Sequence, residues 1–182
     1  MKALITFSTI LITSFLSFGQ WTVDNAKSTM TIDGTSNVHD WTENVETING
    51  SLAATLSGST LSAISSFNMS IPVSSIKSGK SGMDKNTYVA LKSDKYPNIK
   101  FNLQSTKIAG NDITVTGTLE IAGTKKTVTF PVKYSISGGN IVISGSYKMK
   151  MTDFNVEPPT ALFGTISTGN DLTIKFNVQF KK

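Results

Sequence analysis

The sequence predicts an all-β domain of eight main antiparallel strands, and three observations carry that reading. From Ile99 onward nearly every strand-length run alternates apolar and polar residues with period two; short Gly-, Asn- and Asp-rich turn signals separate the runs; and a single stretch has a helical pattern. Alternation of this kind belongs to half-buried strands, with one face on an apolar interior and the other in water. Periodicity alone fits either a closed barrel or a two-sheet sandwich.

Residues 1–20 have one early cation (Lys2), an apolar stretch from Ala3 to Phe18 broken only by Ser and Thr, and small residues at Ser17 and Gly19. This is the layout of a cleaved secretory signal, cut after Gly19, and the run falls short of the roughly 20 residues of a membrane-spanning helix. The chain thus divides into a signal peptide (1–19) and one domain (20–182). In that domain, residues 21–36 give a short opening strand and a second with Met30 and Ile32 on one face. Residues 38–41 and then 48–56 read as a longer path kinked at Asn49-Gly50, and 63–73 puts Phe67, Met69, Ile71 and Val73 on one face. The helical pattern covers residues 84–92, with Asp84 as N-cap and Tyr88 and Leu91 on one side.

Five later runs complete the set: Ile99/Phe101/Leu103, Ile113/Val115/Leu119/Ile121, Val128/Phe130/Val132/Tyr134/Ile136, Ile141/Ile143/Tyr147/Met149 and Leu172/Ile174/Phe176/Val178/Phe180. Lys100, Lys126, Lys133, Lys148, Lys150 and Lys175 are expected on the opposite face. Turns are expected at Ser57-Gly58, Gly110-Asn111-Asp112, Ala122-Gly123-Thr124, Gly138-Gly139-Asn140 and Gly169-Asn170-Asp171, which points to a meander. Residues 153–168 hold Pro158-Pro159 and then Ala161-Leu162-Phe163, apolar in a loop setting, as in loops that cover a cavity mouth.

The net charge is +5, carried by lysine alone, without one arginine. Arginine is the usual residue for bidentate phosphate and base-edge contacts, and these lysines are spread singly, so nucleic-acid binding is not expected. They read as solubilising and edge-protecting charges, compatible with transient attraction to an anionic membrane surface. The chain has no cysteine, which excludes disulfides, thiol chemistry and a lipid-modified N-terminal cysteine.

Candidate polar residues are few. His39, the only histidine, is a surface or rim residue packed on Trp41, a polar contact for a ligand head group, or a base oriented by a carboxylate. With no cysteine and no clustered carboxylates, no metal site is expected, and no nucleophile elbow accompanies the one histidine, so an enzyme is not expected. Asp24, Asp33, Asp112 and Asp171 are expected in or beside turns as backbone caps. Asp153 is an Asx-turn or a rim contact. Gly117 and Gly145 sit at inward positions, where they bend the strands or widen the interior. Tyr134 and Tyr147, also inward, bring hydroxyls that need partners or water.

Ser93 to Phe101 (SDKYPNIKF) and Val115 to Val132 (VTGTLEIAGTKKTVTFPV), with the late Asp153-Phe154, resemble the YceI-like family of exported polyisoprenoid-binding proteins. The resemblance covers essentially all of the chain after the signal. It implies an extended, lipocalin-like eight-stranded antiparallel barrel with one short helix in a long loop and an apolar tunnel for an isoprenoid chain. Many members have a histidine in the first long strand, whereas here His39 comes later; a basic residue common before the late Asp-Phe is replaced by Met151-Thr152.

On this reading the tunnel wall is Met30, Ile32, Phe67, Met69, Ile71, Phe101, Leu103, Val115, Leu119, Phe130, Ile143, Tyr147, Met149, Phe163, Ile174 and Phe176, with His39, Trp41 and Asp153 as rim or head-group residues. The expected function is an exported carrier or store of a long apolar lipid, periplasmic or secreted, monomeric or homodimeric, with no cofactor other than the lipid. The alternative is a secreted structural or interaction barrel filled by its own side chains.

Overall fold

Eight antiparallel strand paths follow one another around a closed ring, and three of them are interrupted midway. The computed structural model describes residues 16–161 and 163–182. The first path is β1 (Leu16–Val23) and β2 (Thr29–Ser36), the second β3 (Trp41–Val45) and β4 (Asn49–Ser57), the third β5 (Thr60–Pro72) and the two-residue β6 (Ile76–Lys77). Helix α1 (Ser81–Ala90) then leads to the unbroken paths β7 (Asn98–Ala109), β8 (Asp112–Ile121), β9 (Thr124–Ser137) and β10 (Asn140–Lys150). After the short β11 (Thr160–Ala161), β12 (Ile166–Lys181) closes the ring, pairing with β10 on one side and with both β1 and β2 on the other. The protein is an eight-stranded antiparallel β-barrel, and closure leaves no long edge to be blunted.

The three interruptions lie side by side, and side chains replace the ladder bonds that are lost there. Asn25 bridges the first two breaks, its amide donating to the Ile48 carbonyl at 3.0 Å while its Oδ1 accepts from the Ile48 N–H at 2.8 Å. Ser75 ties the second to the third: its carbonyl accepts from Glu46 N–H and its hydroxyl, which can donate to one of them at a time, lies within reach of the Pro72 and Thr47 carbonyls. Buried backbone groups must find such partners. Pro72, which has no N–H, ends β5 where a donor would be missing in any case.

One end of the barrel is shut. Trp21 is wholly buried there, its indole Nε1 donating to the Gly139 carbonyl at 2.9 Å, and Leu52, Leu61, Ile113, Ile141 and Phe180 are buried nearby. The Tyr134 hydroxyl finds its partner at this end, accepting from Leu61 N–H at 3.2 Å. The turns here use Gly58, Gly110, Gly138 and Gly139 in the left-handed region. The other end carries the β2–β3 turn, α1, the Ala122-Gly123 turn and the 151–165 segment.

Several expectations are corrected. The second path begins at Trp41, not 38, and its break falls at 46–48, before Asn49. α1 starts at Ser81; Asp84 is in its first turn, where it accepts hydrogen bonds from Ser78 N–H and Oγ rather than capping the helix. Gly169-Asn170-Asp171 is not a turn but the bulge of β12, where the register with β2 shifts between Thr168 and Leu172. Asp33 lies mid-strand on the outer face, paired with Lys175 at 3.0 Å and accepting from Thr42 at 2.7 Å. Lys126 shares the parity of Val128 and sits opposite Leu119; being the third residue of β9, at the open end, it escapes the interior and places its amine over the Phe154 ring. The signal segment lies outside the described residues up to position 15; Leu16–Gly19 pair with β4.

Candidate ligand-binding cavity

Two chambers share the barrel axis. The outer one, about 1150 Å³, opens at the helix end between the β2–β3 turn, α1 and the 156–166 segment. The inner one, about 120 Å³, is walled by apolar side chains apart from Thr106 and the Tyr147 hydroxyl. Ile32, Ile99, Ile121 and Ile174 line both and form a collar between them. Along β12 the wall runs through Ile166, Thr168, Leu172 and Ile174 to Phe176, Val178 and Phe180. At roughly 3.4 Å per residue and ~40° of tilt, that is about 35 Å of depth.

Of the residues expected in the tunnel wall, all but Phe163 line one or both chambers as wall; Phe163 borders only the mouth, where its side chain is fully exposed. Met30, Phe67, Met69, Ile71, Phe101, Leu103, Val115, Leu119, Phe130, Ile143, Tyr147 and Phe176 face the inner chamber; Met149 faces the outer. The inner wall is an aromatic chain in which Phe101 meets Phe67 at 5.8 Å and Phe130 at 5.9 Å, and Phe130 meets Tyr147 at 5.2 Å, in tilted geometries favoured by ring quadrupoles. Gly117 makes room for this packing, because a side chain there would occupy the Phe101 ring, so the space it frees is filled rather than added to the cavity; it also lies opposite the β7 bulge between Leu103 and Ser105. Tyr147 is pushed above the usual phenol range by burial and by the Asp153 charge, so it stays a neutral hydroxyl.

Of the expected rim residues, Trp41 and His39 line the outer chamber. Trp41 lies flat across Gly34 on the neighbouring strand, its Nε1 donating to the Thr35 carbonyl at 2.9 Å; any Cβ at Gly34 would displace the indole. His39 is exposed at the mouth, with Nδ1 2.8 Å from the Asp40 carbonyl. Asp153 lines neither chamber; its carboxylate accepts from Lys150 N–H at 2.9 Å and caps the turn after β10. The 156–166 segment does border the mouth through Val156, Pro159, Ala161, Phe163 and Ile166, while Leu162 lies outside the described residues.

Sequence reasoning missed two parts of the wall. On α1, Met83, Thr87, Ala90 and Leu91 face the outer chamber at helical spacing, while Tyr88 is anchored away from it by Lys77 at 2.7 Å and by its own donation to the Ser74 or Ile76 carbonyl. The second is Glu43. It sits inward between Trp41 and Val45, opposite Ile32 and so level with the collar, and is only 2% exposed. Thr87 Oγ1 donates to its Oε1 at 2.6 Å. Burial pushes its carboxyl above the usual range, opposed by the Thr87 hydrogen bond and reinforced by the Asp84 charge. Among the described residues no group of three histidine or acidic side chains could hold a metal.

The family model of the YceI-like domain matches residues 21–180. This chain belongs to the YceI-like family. Solved structures of similar fold include BcnA of Burkholderia cenocepacia (24% identity, TM-score 0.70, covering 86% of this chain and 98% of that one). A polyisoprenoid-binding domain of Saccharophagus degradans implicated in plant cell wall breakdown is similar over 88% of this chain and 97% of its own, at 11% identity and a TM-score of 0.71. The YceI protein of Campylobacter jejuni is 17% identical, covering 100% of this chain and 94% of its own, with a TM-score of 0.58. At these identities the likeness is one of fold. No curated protein sequence matches the chain.

Proposed function

We propose that this YceI-like protein is an exported lipid-binding protein that holds a long polyisoprenoid-type chain in its barrel, as a carrier or store. The observation that carries this reading is the deep apolar cavity, open at one end and shut at the other by Trp21 and its neighbours. Each methylene buried there contributes about 0.8 kcal/mol, so a few isoprene units suffice for tight binding with few polar contacts. The Saccharophagus degradans domain, described as polyisoprenoid-binding, supports the ligand class. The fully exposed Phe163 and the exposed Val38 stand at the mouth beside Lys80 and Lys85, an arrangement suited to brief contact with an anionic bilayer from which a lipid is drawn. The work of the site is binding rather than catalysis.

The test is organic extraction of the purified protein, with mass spectrometry of the extract. A stoichiometric isoprenoid is expected. Protein free of lipid that also fails to take up geranylgeraniol would replace this reading with the self-filled structural barrel.

A further inference from the structure

Lipid binding by the apolar walls leaves the head group unassigned, and one buried carboxyl, tied to α1 through one oxygen only, lines the cavity. Glu43 stands at the collar, where the outer chamber narrows into the inner one. Its neighbours across the sheet are Ile32 and, one strand further, Ile174, with Trp41 and Val45 on either side along β3. Among the described residues its single hydrogen bond comes from Thr87, and none of the ion pairs includes it. Lys80 and Lys85 line the same chamber from α1 and the segment entering it, but both are exposed and neither pairs with Glu43. An acid kept this dry without a cation is costly as a carboxylate, whereas its neutral form offers one O–H donor and further acceptor capacity. With Thr87 on Oε1, the rest of the carboxyl is left to a molecule in the cavity.

We propose that Glu43, oriented by Thr87, is the head-group anchor of the cavity and selects an uncharged hydroxyl head, a long-chain isoprenoid alcohol, over the corresponding phosphate ester. A hydroxyl both donates and accepts, and so completes the carboxyl. A phosphate at the same level meets an acidic group that no cation is paired with. The lipid chain would run along the apolar wall of the outer chamber, which also includes Glu43, and only a few of its carbons would fit in the inner chamber beneath the collar. This rests on the lipid-binding reading above and adds the chemistry of the head.

Geranylgeraniol and geranylgeranyl monophosphate, titrated separately into the delipidated full-length domain and followed by calorimetry, test the assignment. The wild type is expected to bind the alcohol at least tenfold more tightly than the phosphate, the scale of one buried hydrogen bond made or left unmade. Glu43→Leu should weaken the alcohol about tenfold and change the phosphate little, collapsing the preference. Glu43→Gln, which keeps a donor and an acceptor without the acid, should hold the alcohol within about threefold. A wild type that prefers the phosphate, or alcohol binding indifferent to Glu43→Leu, would overturn the anchor while leaving lipid binding intact. Failure of both probes to bind the wild type would overturn the anchor together with the lipid reading. Circular dichroism of each variant separates loss of the anchor from loss of the fold, since Leu at a buried acid site is not expected to unfold it.

Discussion

Leu119→Trp separates a cavity built for a chain from a core with a packing defect. Leu119 is 7% exposed, faces the inner chamber and pairs directly with Phe101. The substitution adds about six heavy atoms, which in a filled core would cost about 1–3 kcal/mol through strained rotamers and backbone shifts. Here the side chain borders about 120 Å³ of free space, room for about four waters at their share of the liquid. The indole can enter it, and the expected loss of stability is under about 1 kcal/mol. The same atoms then exclude ligand. Displacing about four methylenes at ~0.8 kcal/mol each removes roughly 3 kcal/mol of binding, about a hundredfold in Kd. Calorimetric titration with geranylgeraniol and urea unfolding of the same preparations read the two quantities side by side. Unchanged affinity would show that no chain reaches the inner chamber, and a midpoint loss worth 3 kcal/mol or more would show that the space is not usable.

Three further outcomes follow from particular residues. Because the Glu43 carboxyl is raised in the folded state, the folded chain holds that proton more firmly than the unfolded chain. Its contribution is therefore full at low pH and is lost as pH rises through the unfolded and then the folded value. Plotted from about pH 4 to pH 8, the urea midpoint of the wild type should decline relative to that of Glu43→Gln, in which Asp84, Lys77, His39, Lys80 and Lys85 are all retained; parallel curves would contradict the burial argument. Gly117→Ala puts a methyl into the Phe101 ring and 2.6 Å from the Asn102 carbonyl, and should cost about 1–3 kcal/mol, part of it recovered in the double variant with Phe101→Leu; strictly additive losses in denaturation would show that the two positions do not share that space. Material recovered from the exported fraction should have the intact mass of a chain beginning at Gln20, so that Leu16–Gly19 are lost from β1 while Trp21 keeps its bond to Gly139; a mass including residues 1–19 would indicate an uncleaved anchor.

What the sequence makes legible is whatever period two determines. The covalent geometry of a strand sends alternate side chains to opposite faces, so Phe101, Leu119, Phe130 and Phe176 can be assigned inward without knowing their neighbours. The same rule located the later strands, with bounds close to those observed. It fails where the chain leaves the rule. Gly169-Asp171 has the composition of a turn, yet β12 pairs with β2 on both sides of it, at Thr168 and Leu172, and the extra residues become a bulge. Lys126 obeys the parity of an inward residue and avoids the interior only because β9 has just begun there. The three aligned interruptions depend on Asn25 and Ser75 reaching across strands, which no local pattern encodes.

Glu43 shows most clearly why a site can stay hidden in a sequence that otherwise reads plainly. Trp41-x-Glu43-x-Val45 is a regular alternation with an acid where an apolar residue is expected, and ending the strand at Trp41 turns that acid into an ordinary loop residue. The better signal is the contradiction itself: an acid at inward parity between Trp and Val either marks a strand end, as at Lys126, or a position where the interior needs a polar group. The two cases are decided by burial, and Glu43 is buried where Lys126 is not. Among the described residues the closed end holds Trp21, Phe180 and Ile141 with no buried polar side chain left unpaired, the collar holds one carboxyl with capacity to spare, and the mouth holds lysines in water. From the mouth inward the barrel therefore presents charge, then a single hydrogen-bonding group, then hydrocarbon alone; the lysines come from α1 and the segment that enters it, whereas Glu43 and the residues of the closed end are inward positions of a period-two pattern.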